Sequence, residues 1–419
     1  LVLVDKLKAE EVRNRVLVTF YGFLSYWRDD FSASIKPLME AYQLGKQRGD
    51  YLYASFALSF ESSIRLLCGQ PLGHILEEKN NVVKEVKNLN QDLLYVVTEI
   101  ERQMVLNLVN PKTDVLTFDQ EGFDEEAMIK KLEELEDVAS KFDFYTWKLF
   151  LACIFRNWDT AYDFVLDAET FSEETTSRQI NYALFLLMAC IAGYKRISEG
   201  GDERNQIQKQ LKAKEKTMTL FAKHAPQNFE CMLDAIRACR FEAEGKSAGA
   251  EEMLLKAING AKSSRFIHLE SIFRELLSDH YLNVGNAELA SWMRLKALEC
   301  YKTWGATAKV QSMMKSPQSP TIAVSTSQSA SIQNVHDFNT ILAVNRSLAN
   351  AHILNDLLVV MIDVIKKSNC ATNAIIALRS KDDESIFPVA CFDDIDEKIG
   401  GISEPLNIDL PERIIRFVK

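Results

Sequence analysis

The sequence predicts a mainly α protein: an α-solenoid of tetratricopeptide-like helix hairpins, followed by an incomplete α+β unit. Three observations lead there. The first is periodicity in 246–305, which reads as helices at 248–262, 266–284 and 287–304. Met253, Leu254, Ala257, Ile258 and Ala261 fall on one face of the first helix. Phe266, Leu269, Ile272, Phe273, Leu276, Leu277 and Leu282 do so in the second, and Leu289, Trp292, Met293, Leu295, Ala297, Leu298 and Tyr301 in the third. Apolar faces at this spacing must meet to be buried. The second observation is the breaks: Glu-Gly-Lys at 244–246, Lys-Ser-Ser at 262–264 and Val-Gly-Asn at 284–286 have the length of antiparallel hairpin connections. The third is recurrence. An offset of 216 that sets Ala41 on Ala257 also sets Leu38 on Leu254, Leu66 on Leu282 and Gly69 on Gly285. One hairpin cannot bury its own face, so hairpins of this kind stack. An irregular helical bundle is the alternative arrangement.

In chain order, 10–27 reads as a helix with Val12, Val16, Phe20, Phe23 and Leu24 on one side. Helices follow at 31–46, 51–67 and 72–89, and at 91–109, which ends at Asn110-Pro111. The turn formers of 111–124, with Val115, Leu116 and Phe118 among them, predict an extended loop. Asp124, Glu125 and Glu126 predict a helix start, because carboxylates favour the positive end of the helix dipole. Further helices are expected at 125–141, 143–156, 158–168, 176–198, 203–224 and 227–244, with a break at Gly200-Gly201-Asp202. Residues 1–315 form the helical region. The run SPQSPTIAVSTSQSAS at 316–331 carries no charge and little apolar mass, so 316–334 is expected to be a flexible linker. Residues 335–419 read as the first part of an α+β unit. Val335, Phe338, Leu342, Asn345 and Ala349 are spaced 3-4-3-4, a short heptad seam and a candidate parallel dimer contact in which Asn345 would fix register. Packing within its own domain is the alternative for that stripe. A helix with Leu354, Leu357, Leu358, Met361, Ile362 and Ile365 follows. The apolar runs 374–378 and 387–392, separated by 381–384, predict two strands of a hairpin. Leu410-Pro411 opens a last helix.

The composition narrows the function classes. A chain of 419 residues exceeds one compact core. Apolar residues at 47% and charged residues at 26% are ordinary for a globular protein. The net charge of −10 without a basic stripe argues against nucleic acid and against an anionic membrane surface. The apolar run 182–192 is too short to cross a bilayer, and Asp5 and Lys6 interrupt Leu1-Val2-Leu3-Val4 before it resembles a leader. With Leu in place of Met at position 1, the sequence reads as an excised piece. Cysteines at 68, 153, 190, 231, 239, 300, 370 and 391 form no Cys-x-x-Cys. Most lie in apolar runs, where they are expected to be small buried hydrophobes in a reducing, cytoplasmic compartment.

No complete catalytic or ligand motif is expected. Gly245-Lys246-Ser247 looks like the end of a Walker A loop, but Arg240 stands where that motif needs its first glycine, and a helix precedes it instead of a strand. It is read as a hairpin turn without a nucleotide. Histidines 74, 224, 268, 280, 336 and 352 show no zinc spacing, so neither metal nor cofactor is expected, and nucleophilic hydrolysis is not expected either. Asp393, Asp394, Asp396 and Glu397 lack the glycine and ligand order of an EF-hand and read as a solvated loop. Asn345-Arg346-Ser347 matches a glycosylation acceptor without a secretory context. Ser316 and Ser319, each before a proline, are candidate phosphoacceptors in the linker, where phosphate would add charge to a neutral segment.

Several stretches, taken in order, resemble one family. They are VRNRVL at 12–17, FYGFL at 20–24, QMVLNL at 103–108, GFDEE at 122–126, FY at 144–145 with KL at 148–149, HAPQNF at 224–229 and YKTWGA at 301–306. Asp337-Phe338, Leu342, Leu348, LNDLL at 354–358 and LPERII at 410–415 continue the series. The family is that of multidomain hybrid sensor histidine kinases of bacterial type, also found in microbial eukaryotes. In these an AAA-type ATPase module, often behind a serine/threonine-kinase-like domain, precedes a tetratricopeptide-like helical region, a GAF domain and a histidine kinase. The resemblance implies a regulatory and scaffolding segment of a two-component phosphorelay, coupling the ATPase module to a GAF input domain. It implies no cofactor here. The implied partners are other domains of the same chain and further proteins, with a weak homodimer through 335–349. The chain departs from the family where the chemistry lies: no ATPase module, half a GAF unit and no histidine box, so phosphotransfer is implied for the parent alone. Neither Cys370 nor Cys391 stands where a chromophore would anchor. A stand-alone helical-repeat adaptor that binds peptides or proteins is the other reading.

Overall fold

The computed structural model describes residue 6 and residues 9–134, 137–171, 176–177, 180–199 and 204–315, together with three strands at 374–379, 386–392 and 397–399. The chain divides into two compact units, Leu1–Pro320 and Thr321–Lys419.

The described residues of the first unit are mainly helical and contain no strand. The α-helices are α1 (Arg13–Phe23), α2 (Ile35–Arg48), α3 (Tyr51–Leu67), α4 (Leu72–Asn88), α5 (Asp92–Val109), α6 (Glu125–Glu134), α7 (Val138–Phe155), α8 (Trp158–Glu169), α9 (Tyr182–Glu199), α10 (Arg204–His224), α11 (Pro226–Ala243), α12 (Ser247–Ser263), α13 (Ile267–Asn283), α14 (Ala287–Trp304) and α15 (Thr307–Lys315). Apart from α6, which the 110–124 loop separates from α5 and which touches α7 only slightly, each helix packs on the next.

Three boundaries differ from expectation. The helix expected at 10–27 is a 3-10 turn at Glu10–Val12, then α1, then a second 3-10 turn at Ser25–Trp27. The break expected near residue 142 falls before Val138, because the Asp137 carboxylate caps α7 by accepting from the Ala139 amide at 3.1 Å and the Ser140 amide at 3.3 Å. The helix expected from 176 starts at Tyr182.

The hairpin turns share one construction. A residue with positive φ follows the helix, at Gly49, Gly69, Asn90, Arg156, Gly245, Arg265, Gly285 and Gly305. Its amide bonds back three residues and the next amide bonds back five, as in Gly245 N to Glu242 O (3.0 Å) and Lys246 N to Phe241 O (2.8 Å). This pairing satisfies the last carbonyls of the helix and reverses the chain. In α11–α15 the left-handed residues recur every twenty positions, at 245, 265, 285 and 305. The offset of 216 superposes two such turns, Gly49 on Arg265 and Gly69 on Gly285.

α7 and α9 are the centre of the unit. Every residue from Tyr182 to Ala192 is buried, as are Phe142, Phe144, Trp147, Leu149, Phe150 and Leu151. Helices buried on all sides carry no polar face, which is why 182–192 is one unbroken apolar run. Early and late helices also meet. The Asn228 amide of α11 donates to Tyr26 O and Asp29 O, both at 2.8 Å, and accepts from the Phe31 amide at 3.2 Å. The Phe31 ring packs on Phe229 and Phe266.

In the second unit, β1 (Ala374–Arg379), β2 (Ile386–Phe392) and β3 (Glu397–Ile399) form an antiparallel sheet in the order β1-β2-β3. β1 faces β2 from Ala374 opposite Phe392 to Arg379 opposite Ile386. The register shifts between Ile376, opposite Ala390, and Ala377, opposite Pro388, which leaves Val389 as an extra residue. The bulge sits beside Pro388, which has no amide hydrogen to give to the ladder. β3 corrects the reading of Glu397 as part of a solvated acidic loop.

Candidate functional site

The most heavily charged interior site surrounds Glu275 of α13. Its Oε1 takes Lys309 Nζ at 2.8 Å and lies 3.5 Å from Arg156 Nη1, while Oε2 accepts from Tyr301 OH at 3.1 Å. One helical turn on, Asp279 takes Arg156 Nη2, with Lys195 Nζ at 3.4 Å. Burial lowers the pKa of Lys309, and the charge of Glu275 opposes that shift. Burial also works against the Arg156 charge, yet Asp279 and Glu275 outweigh it and raise its pKa. Every charge here has an opposite partner, so the cluster reads as a joint. It ties the α7–α8 turn and α9 to α13, α14 and α15.

A second buried cluster joins α3, α4 and α5. Lys79 pairs with Glu101, whose carboxylate also accepts from Ser63 Oγ at 2.8 and 2.9 Å. Nearby, Asp143 of α7 accepts from Asn181 Nδ2 at 2.8 Å. Burial first, and the charge of Glu101 second, push the Asp143 carboxyl up to about 8.

A third cluster lies at one end of the α11–α12–α13 hairpins. The C-terminal turns of α11 and α13 and the first turn of α12 meet there. Glu242 Oε2 is 2.7 Å from His280 Nδ1, and Ser247 Oγ is 3.5 Å from His280 Nε2. Asn283 Nδ2 holds the other Glu242 oxygen at 2.9 Å. The hydrogen bond from His280 outweighs burial and keeps the Glu242 carboxyl below its usual range. His280 is buried and Ser247 is exposed. Carboxylate, imidazole and hydroxyl thus stand in the order that lets an imidazole take a hydroxyl proton. Lys246, the Walker-like lysine, turns away to Glu244 at 2.6 Å and lies over the Phe241 ring.

The run Gly245-Lys246-Ser247-Ala248-Gly249 has Gly-x-Ser-x-Gly spacing as well as a Walker-like end, and that serine pattern is the sequence signal for this cluster. Glu242 and His280 left no such mark, because only the hairpin fold brings residues 38 apart in sequence together.

The residues singled out from sequence, Ser316, Ser319, Val335, Phe338, Leu342, Asn345 and Ala349, lie outside the described residues. Cys153, Cys190, Cys231 and Cys239 are buried, and Cys68 and Cys300 partly so. Burial pushes the thiols of Cys68, Cys231 and Cys239 up to about 12, which leaves little reactive thiolate. Among the described residues, no group of three His, Cys, Asp or Glu side chains is placed to hold a metal ion, and no helix is long and apolar enough to cross a membrane. Comparison with protein-family profiles and with curated proteins finds no match.

Proposed function

We propose that the chain is the regulatory and scaffolding segment of a multidomain sensor histidine kinase, in which helical repeats couple an upstream ATPase module to a GAF input domain in a two-component phosphorelay. The observation that carries this reading is the order of the matching stretches, from VRNRVL at 12–17 to LPERII at 410–415, across nearly the whole chain. The recurring hairpin turns support a tetratricopeptide-like α-solenoid. The antiparallel sheet of β1–β3 supports a GAF-like α+β unit. ATP binding and phosphotransfer belong to the parent's flanking modules. Partners are other domains of the same chain and further proteins, with a weak homodimer through Val335, Phe338, Leu342, Asn345 and Ala349 and phosphoacceptors at Ser316 and Ser319. The acidic balance disfavours nucleic acid and anionic membrane, and the cysteine usage suits the cytoplasm.

A second reading, a stand-alone adaptor, is favoured by a cleft of about 410 Å³ lined by Met39, Tyr42, Leu58, Glu61, Arg65 and Val82 among others. One experiment separates the two. The native reading frame beyond the Lys419 codon is expected to complete the GAF domain and then encode a phosphoacceptor-histidine helix and a nucleotide-binding kinase core. A stop codon or an unrelated domain there overturns the kinase reading. In the full-length kinase, Leu342→Asp is expected to lower dimer content and autophosphorylation together, and unchanged sedimentation would remove the dimer seam.

A further inference from the structure

The Glu242–His280–Ser247 cluster is not used by a scaffolding role, and both glycines around Ser247 have physical work there. Gly245 adopts φ +73° in the turn that delivers Ser247 to the start of α12. At Gly249 a Cβ would stand 2.9 Å from Cδ2 of Phe241, so only glycine lets the first turn of α12 close onto α11 beside Glu242. The packing therefore demands both glycines, and Ser247 between them presents an exposed hydroxyl to a buried imidazole.

We propose that Ser247 is an activated nucleophile, with His280 as its general base and Glu242 as a positioning residue, that transfers acyl groups from activated carboxylic esters to water. The Oγ–H proton passes to His280 Nε2 as Oγ bonds to the acyl carbon. The carbon–oxygen bond to the leaving group then breaks, and the departing oxygen takes the proton from His280. Water repeats the sequence, releasing the carboxylic acid and restoring the serine. The 3.5 Å separation is the loose spacing of a ligand-free pair, which tightens on the substrate. No side chain caps α12, and Ala250 is the first amide that bonds back to the turn, to Lys246 O at 3.0 Å. The amides of Ala248 and Gly249 lie in the unpaired first turn of the helix and suit a developing oxyanion.

The test uses the 419-residue chain with a fluorophosphonate probe and with p-nitrophenyl acetate. In the probe reaction the Oγ–phosphorus bond forms and fluoride leaves. Peptide mapping is expected to find Ser247 labelled about a hundredfold faster than Ser32, an exposed serine bonded to Asp30. Ser247→Ala, a change at an exposed position, is expected to abolish both labelling and ester turnover. Glu242→Gln is expected to slow labelling and to move the acid limb of its pH–rate profile to lower pH, because removing the carboxylate weakens the imidazole as a base. A folded His280→Gln is expected to label at the Ser32 rate. If that variant unfolds, the Ser247-to-Ser32 ratio and the Glu242→Gln pH profile decide. Ser247 labelled no faster than Ser32, or a pH profile unmoved by Glu242→Gln, overturns the proposal.

Discussion

Asp143 accepts one hydrogen bond, of 2.8 Å, from Asn181 Nδ2. Asn181 Oδ1 is buried without a hydrogen-bond partner, and a protonated Asp143 is the donor it needs. The unfolded chain ionises near the ordinary aspartate value of about 3.9, whereas the fold keeps the proton until about 8. The stabilisation is therefore complete below the unfolded value and is lost as pH rises to about 8. Asp143→Asn can donate to that Asn181 oxygen and does not titrate. It is expected to exceed the wild type by roughly 5 kcal/mol at pH 8 and to converge with it toward pH 4, read from urea midpoints at both pH values. Lys309→Ala should act oppositely. It strips the closest cation from buried Glu275 and is expected to cost about 3–5 kcal/mol, whereas the pair Lys309→Met with Glu275→Gln should cost less. A double-mutant cycle in denaturant checks this. None of these residues was legible in the sequence. A charged residue in a helical period reads as solvent face, yet Lys79, Glu101, Glu275 and Lys309 lie inside. The apolar stripe was legible at Ala257, Ile258 and Ala261, all buried, and misled at Leu282, which is 43% exposed.

At the scale of the element, helix type was legible because the 3.6-residue period is long and repeated, and the breaks were legible wherever that period stops. The left-handed residue itself was legible at Gly49, Gly69, Gly245 and Gly285. At Asn90, Arg156 and Arg265 the break was expected but the positive φ was not, since the helix packing imposes a conformation that their side chains do not favour. Arg265 separates α12 from α13 at φ +61°, and its side chain is exposed. An L-residue with a Cβ costs about 1 kcal/mol in that region, and only part of this is repaid by the tighter unfolded chain. Arg265→Gly is therefore expected to stabilise by roughly 0.5–1 kcal/mol and to raise the melting temperature by a degree or two, measured by calorimetry. Gly245→Ala reverses the logic and should destabilise by about 1 kcal/mol.

For the helical unit as a whole, the sequence offset of 216 captured the local register of the hairpins but not the contact between early and late helices. That contact is not periodic. It depends on single side chains reaching backbone 197 to 202 residues away. Residues 28–30 link the 3-10 turn at Ser25–Trp27 to another at Phe31–Ser34, so part of the backbone hydrogen bonding of 26–31 must come from outside. Asn228 supplies it with one acceptor and two donors, and Gln227 adds a bond to Arg28 O at 2.8 Å. Trp27 seals the same joint, its ring 4.5 Å from that of Phe221. Asn228→Ala leaves the Phe31 amide and the Tyr26 carbonyl buried without these partners, at about 1–3 kcal/mol for each group. The loss falls on the early segment, while α12–α14 keep their own hairpin contacts. Hydrogen exchange should therefore divide. Amides in α1 and in 26–31 are expected to exchange about a hundredfold faster in Asn228→Ala, while those in α12–α14 keep their protection. Uniform acceleration would mean that the helices unfold as one body through this joint, and no acceleration at 26–31 would mean that the aromatic packing of Trp27 and Phe31 holds it without the amide.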